Sequence, residues 1–235
     1  MFISVVIPVL NEERLLPDTL AHTLACGFDE LIVVDGGSTD RTREIVQTFQ
    51  LSTQHAVSTR ITLLAAPPGR ASQMNAGASA AVGDVLLFLH ADTRLPTNAR
   101  TLITAALQGS DCIGGRFDVR FDPDSGWGRL ISCMMNVRSR WTGIATGDQT
   151  VFVKRASFQH LGGFSEIPIM EDIEFSRRMK RAGKIAALGT PVVTSYRRWQ
   201  THGPFRTILL MWALRTLYWL GISPRTLSHL YGDAR

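Results

Sequence analysis

The chain has 235 residues, 45% of them hydrophobic and 19% charged, which is enough to bury the core of one α/β domain and excludes an intrinsically disordered chain. Its three cysteines, Cys26, Cys112 and Cys133, are far apart, so neither a zinc site nor a disulfide framework is expected and the thiols read as reduced in the cytoplasm. The net charge of +5 is uneven, with 11 Lys/Arg against one acid (Asp233) from Arg177 to Arg235; a basic end suits an anionic membrane or a phosphorylated substrate, and no zinc-finger or basic–aromatic pattern points to nucleic acid.

Ile3 to Leu10 is an apolar run without alternation, as in a strand buried on both faces of a parallel sheet, and no basic n-region or cleavage site makes it a signal peptide. Pro17 to Ala25 has helical spacing. Leu31 to Asp35 is a second buried strand, and Asp40 to Gln50 a second helix with Thr39 or Asp40 as N-cap. Ile61 to Ala65 is a third strand, Ser72 to Ala81 a helix of small residues, and Val85 to Leu89 a fourth strand ending on His90-Ala91-Asp92. This alternation predicts a doubly wound α/β sheet, whose ligands bind beyond the carboxyl ends of the strands. The polar residues lie at those ends: Asn11-Glu12, Asp35, Arg70 and Asp92.

After Pro96 the pattern loosens. Thr97 to Leu107 reads as a helix and Gly114 to Phe121, which alternates, as a more exposed strand. Ser125 to Arg140 reads as a helix or partly ordered loop, Gly147 to Lys154 as a turn and strand, and Glu171 to Ala182 as an amphipathic helix. The simplest division is one domain, 1–200, and a C-terminal extension, 201–235.

The chain lacks GxGxxG in the first βα turn and GxxxxGK[ST] anywhere, which argues against a dinucleotide-binding dehydrogenase and a P-loop enzyme. Asp35 can offer a carboxylate to ribose hydroxyls or a base N–H, with Gly36 and Gly37 letting backbone approach the ligand; the alternative, an Asp capping the following helix, applies better to Asp40. Asp92 suits a Mg²⁺ or Mn²⁺ ion that takes one or two protein carboxylates and otherwise phosphate oxygens and water. His90 is a second candidate ligand, structural by default. Glu171-Asp172 opens a helix, where acids complement the dipole and where one of them can also take an acceptor's proton. Gly147-Asp148-Gln149 is a polar turn suited to the acceptor side of a cleft or to a plain loop.

Taken in order, "VVIPVLNEE", "IVVDGGSTDRT", "PGRASQMNAGASAAVGDVLLFLHADT", "GDQ" and "MEDIEFSRRMKRAG" resemble family 2 glycosyltransferases of the GT-A fold. The resemblance implies a Rossmann-like, mostly parallel sheet with helices on both faces and an inverting transfer from a UDP- or GDP-sugar. It further implies that Pro8, Asn11 and Glu12 cradle the nucleotide and that Asp35 binds uracil or ribose. Arg70, Asn75 and Gly77 would form the donor segment, Asp92 the metal acid of the DxD motif, and Asp172 the base with Glu171 beside it. The first acid of DxD is replaced by His90. Tyr196-Arg197-Arg198-Trp199 is loosely similar to QxxRW, placing Arg198 and Trp199 on the acceptor side, but no Gln precedes, which argues against processive synthesis. "GRASQMNAGA", "FLHADT", "RRW" and "LYWLG" resemble a small bacterial subgroup of diaponeurosporenoate glycosyltransferase-like members. The alternatives are a nucleotide-binding protein that lost catalysis and a nucleotidyltransferase; the acidic Asn11-Glu12-Glu13 disfavours the latter.

Ile208 to Ile222 is strongly apolar but is interrupted by Arg215. A span needs about 20 apolar residues, and a central Arg costs roughly 3 kcal/mol on insertion. An interfacial helix with Trp212, Tyr218 and Trp219 at headgroup depth fits better than a span, as does a helix packed on the domain or on another copy. The expectation is a cytoplasmic enzyme, peripheral at the inner membrane face through 205–225, acting on a lipid-like acceptor.

Overall fold

The computed structural model describes residues 1–53, 59–109, 111–124 and 126–231; the side chains of Thr53, Arg198 and His202 also lie outside the description. The first half alternates β1 (Ile3–Val9), α1 (Leu16–Ala25), β2 (Glu30–Asp35), α2 (Thr42–Thr53), β3 (Arg60–Ala65), α3 (Arg70–Ala80) and β4 (Val85–Phe88). These strands lie side by side in the order β3-β2-β1-β4, all parallel, with Val9, Asp35 and Ala65 level at the carboxyl edge.

The second half holds β5 (Thr93–Arg94), α4 (Ala99–Leu107), β6 (Cys112–Asp122), α5 (Gly126–Thr142), a 3₁₀ turn at Gly147–Gln149, β7 (Val151–Lys154), α6 (Arg155–His160), α7 (Glu171–Ala182) and β8 (Lys184–Ser195). β7 runs antiparallel between β4 and β6, β8 runs parallel to β6, and β5 closes the eight-stranded sheet antiparallel to β8. This is the mixed α/β architecture with helices on both faces that the sequence predicts.

The unalternating strands follow from burial on both faces. Val5, Ile7, Leu31 and Val33 pack on one side with Leu16, Leu20 and Ile103. Val6, Ile32 and Val34 pack on the other with Ala71, Met74, Ala78, Phe175 and Met179. Each fully buried aliphatic side chain contributes about 1.5–3 kcal/mol. The small residues of α3 let it lie close to the sheet: a Cβ on Gly77 would sit 2.4 Å from Val6 Cγ1. Pro8 lies inside β1, opposite Val34, rather than in the loop beyond it. A central strand tolerates it there because β4 pairs β1 only as far as Val6, so no ladder bond needs the missing N–H.

One expectation is corrected, and one strand stands in a segment with no element expected. β6 is not an exposed strand: its polar positions Arg116 and Asp118 are 2% and 9% exposed and paired at 3.0 Å, so the alternation reflects a buried ion pair. The segment after α7 is a strand, β8, although Gly189 and Pro191 interrupt it; a register shift against Phe117/Asp118 accommodates the break.

The chain ends in α8 (Arg197–His202), α9 (Pro204–Trp219) and α10 (Pro224–Tyr231). Among the described residues no helix is long and apolar enough to cross a membrane. Ile208 of α9 packs on a small cluster of Phe121, Ile131 and Trp199, and Leu214 and Leu227 are buried.

Candidate functional site

The loops after β1 and β2 are laced together. Asn11 N–H donates to Ser38 Oγ (2.9 Å), Asn11 Oδ1 accepts from Thr39 N (2.9 Å), Glu12 N–H donates to Thr42 Oγ1 (2.9 Å) and Glu13 N–H to Asp40 Oδ2 (3.1 Å). Asp35, only 2% exposed, accepts from Gly37 N and Ser38 N at 3.1–3.2 Å, and Arg43 Nε lies 3.9 Å away. Its carboxylate therefore first shapes the turn that would receive a nucleotide. Gly36 lets the Gln73 side chain in, since a Cβ would meet Gln73 Nε2 at 3.0 Å; Gln73 ties the ends of β1 and β2 by donating to Val9 O and Val34 O. Burial pushes the Glu12 carboxyl above its ordinary range, Arg197 (3.7 Å away) opposes the shift, and the Asp92 charge adds to it.

A second group forms around the start of α7. Asp172 Oδ2 accepts from Gly147 N–H at 2.7 Å, and its other oxygen takes Ile173 N–H. His90 lies against the same turn: its Nδ1 is 3.6 Å from Asp148 Oδ1, and a Cβ on Gly147 would come within 2.5 Å of its ring. Arg70 at the first turn of α3 reaches to 4.0 Å from Glu171 Oε1. Glu171 is 5% exposed, and its carboxyl is pushed up to about 7, first by burial and next by the Asp172 charge, against Arg70 and His90. The fold thus brings Arg70, His90, Gly147, Asp148, Glu171 and Asp172 to one place: a carboxyl near neutrality beside a second carboxylate, a cation and an imidazole.

Backbone strain falls in the same regions. Among the described residues the non-glycine positions with left-handed φ are Asn11 (55°), Thr150 (46°) and Met170 (70°). They stand in the β1 loop, just past the Gly147–Gln149 turn, and immediately before Glu171. Such positions cost about 1–3 kcal/mol each, least for Asn, and recur where structure is held for function.

Other predicted residues serve packing. Gln149 is fully buried, donating to Ser139 Oγ (2.8 Å), so it pins the turn to α5 and does not line a cleft. Trp199 is 9% exposed and packs edge-on to Phe121, so it belongs to a core cluster instead of the acceptor side. Asn75 spends its amide on the backbone of Phe164, and Gly77 serves the approach of α3 to β1. The Arg198 side chain lies outside the described residues.

Asp92 lines a cavity of about 140 Å³ with Asp18, Arg94, Asp122 and Ser195. None of these belongs to the group around Glu171. Among the described residues no three or more His, Cys, Asp and Glu are grouped to hold a metal. A lone Asp92 fits a Mg²⁺ or Mn²⁺ ion only if phosphate oxygens and water complete its shell. The sequence reading missed Gln73 and Arg138. A Gln in a helix of small residues is a usable signal; for Arg138, one of many basic residues, there is none.

The sequence profile described as Glycosyl transferase family 2 matches residues 4–162. Curated relatives called undecaprenyl-phosphate 4-deoxy-4-formamido-L-arabinose transferase are 36% identical over 154 residues in Pseudomonas savastanoi pv. phaseolicola and 35% over 153 in Pseudomonas aeruginosa. These matches take in 63% and 62% of this chain and 44% of each relative, so the chain spans less than half the length of the curated relatives it matches. Among solved structures, S. aureus TarS 1–349 superimposes with a TM-score of 0.66 at 19% identity, over 92% of this chain and 66% of that one. The same protein in complex with UDP-GlcNAc gives 0.63 at 19% identity, over 83% of this chain and 58% of that one. The mannosyltransferase PcManGT from Pyrobaculum calidifontis, in complex with GDP-Man and Mn²⁺, gives 0.61 at 22% identity, over 82% and 56%. At these identities the structural likeness speaks for the fold.

Proposed function

The chain belongs to glycosyl transferase family 2, and on that premise we propose that it transfers a sugar with inversion from a UDP- or GDP-sugar to a lipid-like acceptor at a membrane surface. The observation that carries this reading is the pairing of a prebuilt loop platform at the ends of β1 and β2 with the Glu171–Asp172 acids set against Gly147, His90 and Arg70. Asp35 and Asn11, whose oxygens hold the Gly37–Thr39 turn in place, supply the nucleoside contacts. Where the acceptor attacks through a hydroxyl, Asp172, aimed by the Gly147 amide, takes its proton as the oxygen bonds to the anomeric carbon and the bond from that carbon to the diphosphate breaks. An acceptor that attacks through a phosphate oxygen is already ionised near pH 7 and needs no base, so Asp172→Asn distinguishes the two acceptor types.

Asp92 would hold a divalent metal together with the donor's diphosphate oxygens, and a metal so bound supplies positive charge to the departing diphosphate. The relatives' names, which specify an undecaprenyl phosphate, support a lipid phosphate as the acceptor class.

Peripheral membrane contact through 205–225, at the cytoplasmic face, completes the reading, with 201–235 as an extension of a 1–200 catalytic domain. Phe205, Leu209, Trp212 and Trp219 of α9 are 54–78% exposed. α5 presents Trp127, Leu130, Met134, Val137 and Trp141, spaced along one helix face and 40–90% exposed. α5 and α9 carry five arginines and no acid, the composition of helices that lie in an anionic interface. Co-sedimentation with anionic and neutral vesicles tests it: retention on anionic vesicles only is expected, and a protein that stays in the supernatant with both removes the membrane part.

A further inference from the structure

The buried side-chain nitrogens and oxygens that find no hydrogen-bond partner among the described residues are all in one corner: Arg116 Nη2, Arg138 Nε and Nη2, and the hydroxyls of Thr146 and Thr150. Arg116 is on β6, Arg138 on α5, and the threonines flank the Gly147–Gln149 turn. Buried polar groups are almost always paired, so orphans gathered from three elements call for an explanation. A guanidinium is a poor choice for filling space, because desolvating its charge is costly without a partner.

The corner is rich in positive charge and rigid. Arg116 and Arg140 share one carboxylate, Asp118, at 3.0 and 2.6 Å, and among the described residues Arg138 has no salt bridge. Asn136 clamps α5 to β6 with two bonds to Val119 (2.8 and 2.9 Å), and Gln149 ties the turn to Ser139. Arg138 is therefore bracketed by fixed residues. Burial lowers its pKa, the Asp172 and Asp148 charges oppose that shift and Arg116 adds to it, so the guanidinium lies within electrostatic reach of the Glu171–Asp172 group.

We propose that Arg138, with Arg116 and Thr150, forms a binding site for a phosphoryl group next to Asp172. Every orphan nitrogen is a donor and the hydroxyls can donate, which matches an acceptor-only ligand with three oxygens. Guanidinium planes suit phosphate particularly well. The ligand is either the donor's diphosphate, where the arginines would add positive charge beside any metal held by Asp92 alone, or the phosphate of a lipid acceptor. The identity of these ligands rests on the transferase reading above; the anion site itself does not.

Titration calorimetry of the full chain with UDP, GDP, inorganic pyrophosphate and farnesyl phosphate, on wild type, Arg138→Gln and Arg138→Lys, decides it. Arg138→Gln should weaken at least one phosphate ligand by roughly tenfold or more, as expected for a lost charged hydrogen bond. Arg138→Lys should restore part of the loss, and the melting temperature of the Gln variant should not fall, because no native partner is lost. Loss confined to UDP or GDP assigns the site to the donor; loss confined to farnesyl phosphate assigns it to the acceptor. Unchanged affinities, a wild type that binds none of the four, or a melting temperature that drops while affinities persist overturns the proposal and makes Arg138 structural. A wild type that binds pyrophosphate or farnesyl phosphate but neither nucleotide would sink the transferase reading and leave the anion site standing.

Discussion

The loops after β1 and β2 and the corner between α5, the Gly147–Gln149 turn and α7 are opposite kinds of surface. In the first, the backbone amides of Asn11, Glu12, Glu13, Gly37, Ser38 and Thr39 are all satisfied by neighbouring side chains. In the second, buried donors lack partners among the described residues, the Glu171 carboxyl has its pKa pushed up to about 7, and Thr150 and Met170 hold left-handed φ. The first is finished by the fold alone, whereas the second is arranged for a ligand that completes it. On this account a nucleoside meets a preformed cradle, while the reacting end of the substrates meets strained, incompletely paired groups.

The largest expected effect breaks the second region. Asp172→Asn should lower turnover to a hydroxyl acceptor by roughly 10²–10⁴-fold, the range for a lost general base, while nucleotide affinity stays near wild type by calorimetry. Turnover that stays equal removes the base assignment and points to an acceptor that attacks already ionised. Next comes Gly147→Ala, whose Cβ would lie 2.5 Å from the His90 ring. Displacing the turn that aims Asp172 should cost on the order of tenfold to a hundredfold in kcat, again sparing nucleotide binding.

A third experiment needs no substrate. Glu171 has a folded-state pKa raised from an ordinary 4.5 to about 7. The folded protein therefore holds this proton more tightly than the unfolded chain. Its contribution is fully present below pH 4.5 and is lost as pH rises through about 7, on the order of 3 kcal/mol. Chemical denaturation from pH 4.5 to 8 should show this loss in wild type and a flatter profile in Glu171→Gln; parallel profiles would mean that the residue is not buried beside Asp172. The smallest effect concerns the docking helices. Trp141→Ala and Trp212→Ala should each reduce binding to anionic vesicles by roughly a few fold, because exposed tryptophans anchor at headgroup depth, and leave nucleotide affinity alone.

The two regions also differ in how far they could be read from the sequence. Parallel strands buried on both faces appear as unbroken apolar runs, so β1, β2 and β4 and the polar residues at their ends were legible; β3, half-buried at the sheet edge, was legible from its place in the strand–helix alternation. Residues 112–195 were less so. Arg116 and Asp118 looked like the wet face of a strand because a buried ion pair and a solvated one share the same alternation. β8 was hidden by Gly189 and Pro191, which only a register shift against β6 accommodates. At the site, Glu171 and Asp172 stand out as paired acids at a helix start. Gln149, Asn75 and Trp199 looked equally functional, and the fold spends them on pinning and packing. What separates the two sets is whether a polar atom already has a partner, a property of three-dimensional neighbours that spacing does not carry. Arg138 was invisible for the same reason.

Sugar transfer itself is read out by following nucleoside diphosphate release from a panel of UDP- and GDP-sugars by the full chain, with Mn²⁺ and with either farnesyl phosphate or bacterial lipid extract as acceptor. Multiple turnovers with at least one donor are expected, stimulated by an acceptor and strongly reduced in Arg138→Gln. Stoichiometric nucleotide binding with no release from any donor would contradict sugar transfer and make the chain a binding protein built on a transferase fold.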